Sequence, residues 1–254
     1  MDVREYIKNN ILIFDGAMGT MLQQKGLQIG ENPEVFGLKN PDKLIEIHKL
    51  YLEAGSNVIT TNTFGANELK LDKLGYTVEE VVDNAINMAK KAIEESDKSK
   101  PRFVALDLGP IGEMLEPIGT LSFDRAYEIF KRQAIQGEKS GANLIIIETM
   151  MDLYEAKAAV LAAKEAGINP ETGARLPIFA TVIYDEKGNW TQAKIIFPSN
   201  LDEIPALRTY YKATKDGFTS NQDRSSSTKN GDTPFLTVNR TISYYDEEMM
   251  KNES

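Results

Sequence analysis

Cysteine is absent from the 254-residue chain, and histidine occurs once, at position 48. The first absence removes disulfides, thiolate metal ligands and cysteine nucleophiles together. The second removes any site built from several imidazoles. No apolar run approaches the ~20 residues that a membrane-spanning helix needs. The amino-terminal MDVREYIKNNILIF carries charges of both signs beside an apolar stretch too short for a secretory signal. A cytoplasmic protein with no membrane partner is expected. Basic residues are also in deficit, 29 against 38 acidic for a net charge of -9, so no nucleic-acid partner is expected, because phosphate binding needs a basic face.

What is present is enough for a sizeable core: 41% of residues are hydrophobic and 26% charged, within the range of a globular domain. Marking the apolar runs exposes an alternation. Ile11-Leu12-Ile13-Phe14 forms a short continuous run ending at Asp15-Gly16, the pattern of a buried strand and its exit turn. From Pro41 to Ala54, Leu44, Ile47, Leu50, Tyr51 and Ala54 recur at helical spacing, with Gly55 at the stop position. Asn57–Thr61 is a second strand, Val78–Glu95 an amphipathic helix, and Phe103–Leu106 a third strand closed by Asp107-Leu108-Gly109-Pro110. Ser122 precedes a helix over Asp124–Ser140. Leu144–Glu148 is a fourth strand, Asp152–Ala166 an alanine-rich helix stopped at Gly167, and Ile178–Ile183 a fifth strand. Strands alternating with helices imply right-handed βαβ units and a parallel sheet. Repeats of roughly 35 to 45 residues, with polar groups at each strand exit, favour a (β/α)8 barrel over an open doubly wound sheet.

The rhythm stops after Gly188. One helix-like stretch follows at Leu201–Ala213, then GFTSNQDRSSSTKNGDT, too polar to offset its ordering entropy, then a short apolar segment, Phe235–Val238, with strand character. The expected organisation is a partial barrel of five βα units over 1–188 and a divergent, irregular tail over 189–254.

Barrel sites are built at the carboxyl ends of the strands. Those positions hold DGAMGT, TNTFGAN, DLGPIGE, ET and YDEKG. Free backbone N–H groups in a glycine-rich turn suit a carboxylate, and side-chain carboxylates suit an ammonium group. The combination predicts an amino-acid-sized zwitterion. Each element has a plainer reading too: DGAMGT as a tight turn, Asp15 and Glu148 as carboxylates paired at the barrel rim, Asp107 as a loop former. Met18, Met150 and Met151 read as packing or pocket-lining groups, and His48 as a residue of the outer helical layer without a role.

In their order and spacing these five motifs resemble the homocysteine S-methyltransferase family. GLKNPDKLIEIHKLYLEAGSNVITTNTFGAN is most like the cobalamin-dependent methionine synthases within it, and the resemblance covers residues 6–188. It implies homocysteine as ligand, with its carboxylate at the turn of Ala17, Met18, Gly19 and Thr20. Asp15 and Glu148 would face its amino group, and Thr63 would stand at the pocket wall. It also implies a zinc ion that holds the substrate thiol as a thiolate, bound by three cysteines on late strands, and methylcobalamin as a family cofactor. This sequence departs from the family before reaching those cysteines, so no cofactor is expected in the chain itself. Zinc bound by carboxylates alone would match a soft thiolate poorly. Three readings follow: a methyltransferase domain whose metal is restored by some other feature; a truncated or frame-shifted form with a non-native tail from about Asn189, inactive in methyl transfer; or an amino-acid-binding regulatory protein. Expected partners are homocysteine and either cobalamin or folate modules or a complementing subunit.

Overall fold

The computed structural model describes residues 2–167 and 176–180 in full, and the backbone of 181–182, 192–196 and 235–239. In chain order the elements are α1 (Val3–Tyr6), α2 (Met18–Gln24), α3 (Pro33–Lys39), α4 (Pro41–Ala54), β1 (Val58–Thr60), α5 (Glu68–Leu71), α6 (Val78–Glu94), β2 (Phe103–Leu108), α7 (Phe123–Lys139), β3 (Leu144–Met150), α8 (Leu153–Ala166), β4 (Ile178–Val182), β5 (Gln192–Ile196) and β6 (Phe235–Asn239).

Side-chain caps fix where the long helices begin. Thr77, Ser122 and Asp152 accept the amides of Glu80, Arg125 and Tyr154 in turn, each satisfying a donor that the first helical turn leaves open. Gly55 ends α4 in the left-handed region at φ 111°, which glycine adopts without steric penalty.

The sheet order is β1-β2-β3-β4-β5-β6. The first four strands are parallel, as their helical crossovers require. β5 and β6 are antiparallel to their neighbours. The two faces carry different cores. Outward, Ile59, Val104, Leu106, Leu108, Ile145 and Ile147 pack with the apolar stripes of α6, α7 and α8. Inward, Val58, Phe103, Ala105 and Leu144 form a second cluster with Val3 and Ile7 of the α1 segment, and with Phe14, Ile146 and Phe179 at its edge. The Phe14 and Phe179 rings meet edge to face with centroids 5.6 Å apart. That contact joins the segment beside β1 to β4 across the concave face, so the sheet is curled. This is the wall of a TIM-type barrel, incomplete among the described residues.

Two expectations change. Residues 11–14 do not form a strand; they contribute one parallel bridge, Phe14 to Val58, with the Val58 amide donating to the Ile13 carbonyl at 3.0 Å. Among the described residues no strand pairs with the other side of this segment, and Ile11 and Ile13 are exposed. Within 189–254, where only Phe235–Val238 has strand character in the sequence, β5 adds a strand at Gln192–Ile196 and β6 covers Phe235–Asn239. The helix-like stretch 201–213 and the motif at 184–188 lie outside the described residues.

Candidate functional site

Alternation along the strands places the acids. On β2, Phe103, Ala105 and Asp107 share the inward face; on β3, Leu144, Ile146 and Glu148 do. The feet of both strands are apolar, and the residue nearest the carboxyl end is acidic. Asp107 and Glu148 therefore meet, within hydrogen-bonding reach. Asp107 is buried, and its Oδ1 has no partner among the described residues. Burial pushes the Asp107 carboxyl far above its ordinary range, and the negative charges of Glu148, Glu34 and Asp15 add to this. Burial also raises Glu148, while the hydrogen bond from Asp107 opposes that rise. Both carboxyls are thus raised, and as a pair in hydrogen-bonding reach they favour holding one proton between them.

Asp15 completes the group from the other side. It leaves the inner edge beside β1, with Oδ2 accepting the Thr60 amide at 2.8 Å and Oδ1 accepting the Thr60 hydroxyl at 2.7 Å. Burial raises it to about 6 despite these bonds, with Glu148 contributing.

The turn Ala17–Thr20 follows directly. Ala17 opens α2 without a side-chain cap. Its carbonyl accepts the Tyr51 hydroxyl at 3.0 Å, and a methyl group on Gly16 would lie 3.2 Å from the same ring. Tyr51 of α4 thus anchors the turn, and among the described residues no side chain caps the start of α2. The Thr20 hydroxyl turns back to the Ala17 carbonyl.

Thr63 is fully buried. Its hydroxyl donates to the Asp107 carbonyl at 2.8 Å and lies 2.7 Å from the Thr61 hydroxyl, so it braces the backbone under Asp107. Glu148 is followed by Thr149 at φ 60°, the left-handed region that a β-branched residue seldom enters. The β3–β4 register also shifts between Ile147 and Met150. The strand bulges at the residue that carries the site carboxylate.

Asp15, Glu148, Thr63 and the 17–20 turn thus all belong to the strand-exit end, and Asp107 lies at their centre. Sequence reasoning left Asp107 between two readings, although its inward alternation with Phe103 and Ala105 is a signal that pairs it with Glu148. Glu34, buried at the start of α3, was missed. Asn32-Pro33-Glu34 has the form of a helix start, with Asn32 accepting the Val35 amide at 2.8 Å.

His48 is not on an outer face. It is fully buried, neither ring nitrogen has a partner among the described residues, and burial lowers it to about 4.

A curled sheet whose first four strands are parallel, with a glycine-rich turn and carboxylates at their exit end, defines an α/β domain of barrel type. Residues 12–194 match the family described as Homocysteine S-methyltransferase, and the chain belongs to that family. It is 29% identical over 196 residues to a methionine synthase of Mycobacterium tuberculosis and 28% identical over 196 residues to one of Mycobacterium leprae. Each match covers 74% of this chain and 16% of the relative, so the chain spans about a sixth of the length of these curated proteins. Among solved structures, the homocysteine methyltransferase MmuM of Escherichia coli in its oxidized form superimposes with a TM-score of 0.63 at 20% identity, covering 74% of this chain and 68% of that one. Its metallated form gives 0.63 at 19% identity. These likenesses establish the fold.

The cysteine-bound zinc implied by the family does not fit this chain. There is no cysteine, and His48 is sealed in the helical layer. The acids at the mouth are hard oxygen donors, suited to other cations than one that binds a soft thiolate. Among the described residues no group of three or more His, Cys, Asp or Glu is arranged to hold a metal. No helix of the described residues is long and apolar enough to cross a membrane.

Proposed function

We propose that this chain is the homocysteine-binding part of a homocysteine S-methyltransferase, and that the 254-residue polypeptide grips the amino acid without alkylating it. The observation that carries the reading is the meeting of Asp15, Asp107 and Glu148 at the exit end, beside the amide-rich turn of α2. An ammonium group seated there is stabilised by carboxylates that are partly shielded from water, where charge pairing is stronger than at the surface. The turn from Ala17 to Thr20, with Met18 and Gly19 at its amide end, receives the substrate carboxylate. Asp15 and Glu148 face the amino group, and Thr63 holds the wall.

Methyl transfer needs the substrate sulfur as a thiolate: the new carbon–sulfur bond forms as the methyl–donor bond breaks, and the thiol proton must already be gone. No group described at this site would keep that thiol ionised at neutral pH, since carboxylates, even when raised by burial, are weaker bases than a thiolate. In this reading residues 1–188 form the ligand-binding unit, and 189–254 a divergent tail whose β5 and β6 extend the same sheet. Methylation depends on a complementing subunit for the thiolate-stabilising cation and on a methyl donor, the part that cobalamin or folate modules would serve.

Calorimetric titration of homocysteine into the purified chain, with zinc analysis of the same sample and an assay for methionine, tests this. Binding without zinc and without methionine is expected. Methionine formed by the chain alone overturns the catalytic half of the proposal. Unchanged binding by Glu148→Gln overturns the assignment of the site.

A further inference from the structure

Glu34 stands one layer behind the carboxylates. It is 4% exposed at the start of α3, and its Oε1 accepts the Gly65 amide at 2.6 Å. A methyl group on Gly65 would come within 2.8 Å of the same oxygen, so carboxyl and turn are in direct contact. The neighbouring Pro33 carbonyl accepts Nδ2 of Asn62 at 2.8 Å. The turn from Asn62 to Gly65 is thus tied to α3 on both sides of Thr63. From that turn the Thr63 hydroxyl reaches the Asp107 carbonyl, and the Gly109 amide donates to the Phe64 carbonyl at 3.1 Å. A shift at Glu34 is carried through one short turn to the backbone of Asp107.

Its charge reaches the same residue. The anionic groups acting on Asp107 are Glu148 of β3, Asp15 beside β1, and Glu34 of α3. Lys70 faces Glu34 and Glu155 and donates to the Pro110 carbonyl at 3.0 Å. Glu155 meanwhile accepts the Ile111 amide at 2.7 Å and so holds the next loop.

We propose that Glu34 is a positioning residue for the carboxylate pair: it holds the turn that carries Thr63 against Asp107 and contributes to the negative field around Asp107. The inference rests on the reading of this pair as the ammonium-facing part of an amino-acid site, but neither of its structural consequences needs the ligand to be observed.

Two variants separate its roles. Glu34→Gln keeps an acceptor for Gly65 and removes the charge; Glu34→Asp keeps the charge and withdraws the acceptor by one methylene. In the ligand-free full chain, carbon-13 titration of the Asp107 and Glu148 carboxyls reads the charge, and hydrogen exchange at Gly65 reads the bond. Glu34→Gln should move proton uptake by the pair to lower pH and leave Gly65 exchange unchanged. Glu34→Asp should leave the titration in place and speed Gly65 exchange about tenfold, the effect of losing one buried hydrogen bond. A titration unmoved in Glu34→Gln, or a Gly65 amide unmoved in Glu34→Asp, overturns the proposal, and either variant suffices should the other fail to fold. Adding homocysteine to the same samples separates the two readings: a wild-type chain that shows these effects but binds no homocysteine refutes the amino-acid site and leaves the coupling of Glu34 to the pair intact.

Discussion

Asp107 and Glu148 lie on adjacent parallel strands, Glu148 two residues beyond Ile146, the register partner of Asp107, and burial raises both carboxyls, the first buried and the second half-buried. Such a pair opposes folding at neutral pH, since burial disfavours its charged form. Asp107→Asn retains a neutral donor to Glu148 and removes the ionisation. It should raise stability at pH 7 by about 1 kcal/mol, or roughly 2–4 °C in Tm, measured by thermal melts. A lower Tm at pH 7 would contradict the cost assigned to burying this carboxyl.

Asp15 and His48 act on stability with opposite signs in one pH window. Asp15 goes from 3.8 unfolded to about 6 folded, so between these values the native chain holds a proton that the unfolded chain lacks. Its contribution is greatest below about pH 4 and is lost as pH rises to 6, by about 2 kcal/mol once its partial exposure is allowed for. His48 falls from 6.5 to about 4, so the native chain lacks a proton that the unfolded chain binds. Its effect is a loss of about 3 kcal/mol as pH falls through that range. The wild-type profile between pH 4 and 6 should therefore be shallow. His48→Leu, which also removes two unpartnered buried nitrogens, should be more stable at pH 5 and unmask a decline with rising pH in urea titrations. A His48→Leu profile parallel to wild type would refute this opposition.

The long helices and the inner strands were legible because their signals are local. Val81, Val82, Ala85, Ile86 and Ala89 repeat at helical spacing and are buried along one face of α6; Ile145 and Ile147 interleave with Leu144 and Ile146 to cover both faces of β3. The short helices were not legible, since the four residues of α1 or α5 complete little more than one turn and show no period. β5 escaped because its pairing is decided by β4, a partner outside its own sequence. At the site, reading strand exits one at a time found Asp15 and Glu148. It left Asp107 undecided and could not reach Glu34, whose place depends on a helix that packs against another strand's turn.

Thr149 holds a left-handed backbone beside Glu148. Thr149→Gly should relieve about 1 kcal/mol of local strain, visible as a higher urea midpoint. Because the bulge also aims Glu148, homocysteine affinity should weaken in the same variant. Unchanged stability would mean that the turn is not strained.

Gly137 lets α7 lie close on β2. A methyl group there would overlap Cδ2 of Leu106, which is fully buried. Gly137→Ala should lower stability by about 1–3 kcal/mol. Adding Leu106→Val, which shortens the opposing side chain, should recover part of that loss in a double-mutant cycle. Strict additivity of the two changes would show that they do not meet.

Phe103, Ala105 and Leu144 at the foot, and Asp107 and Glu148 at the top, divide each strand by height. Foundation and chemistry are thus storeys of one building: an upper floor can be refitted for a different guest, acid exchanged for amide or hydroxyl, while the masonry beneath keeps its shape. Such a layout lets new ligand preferences arise by single replacements at strand tips, with little demand for a new scaffold.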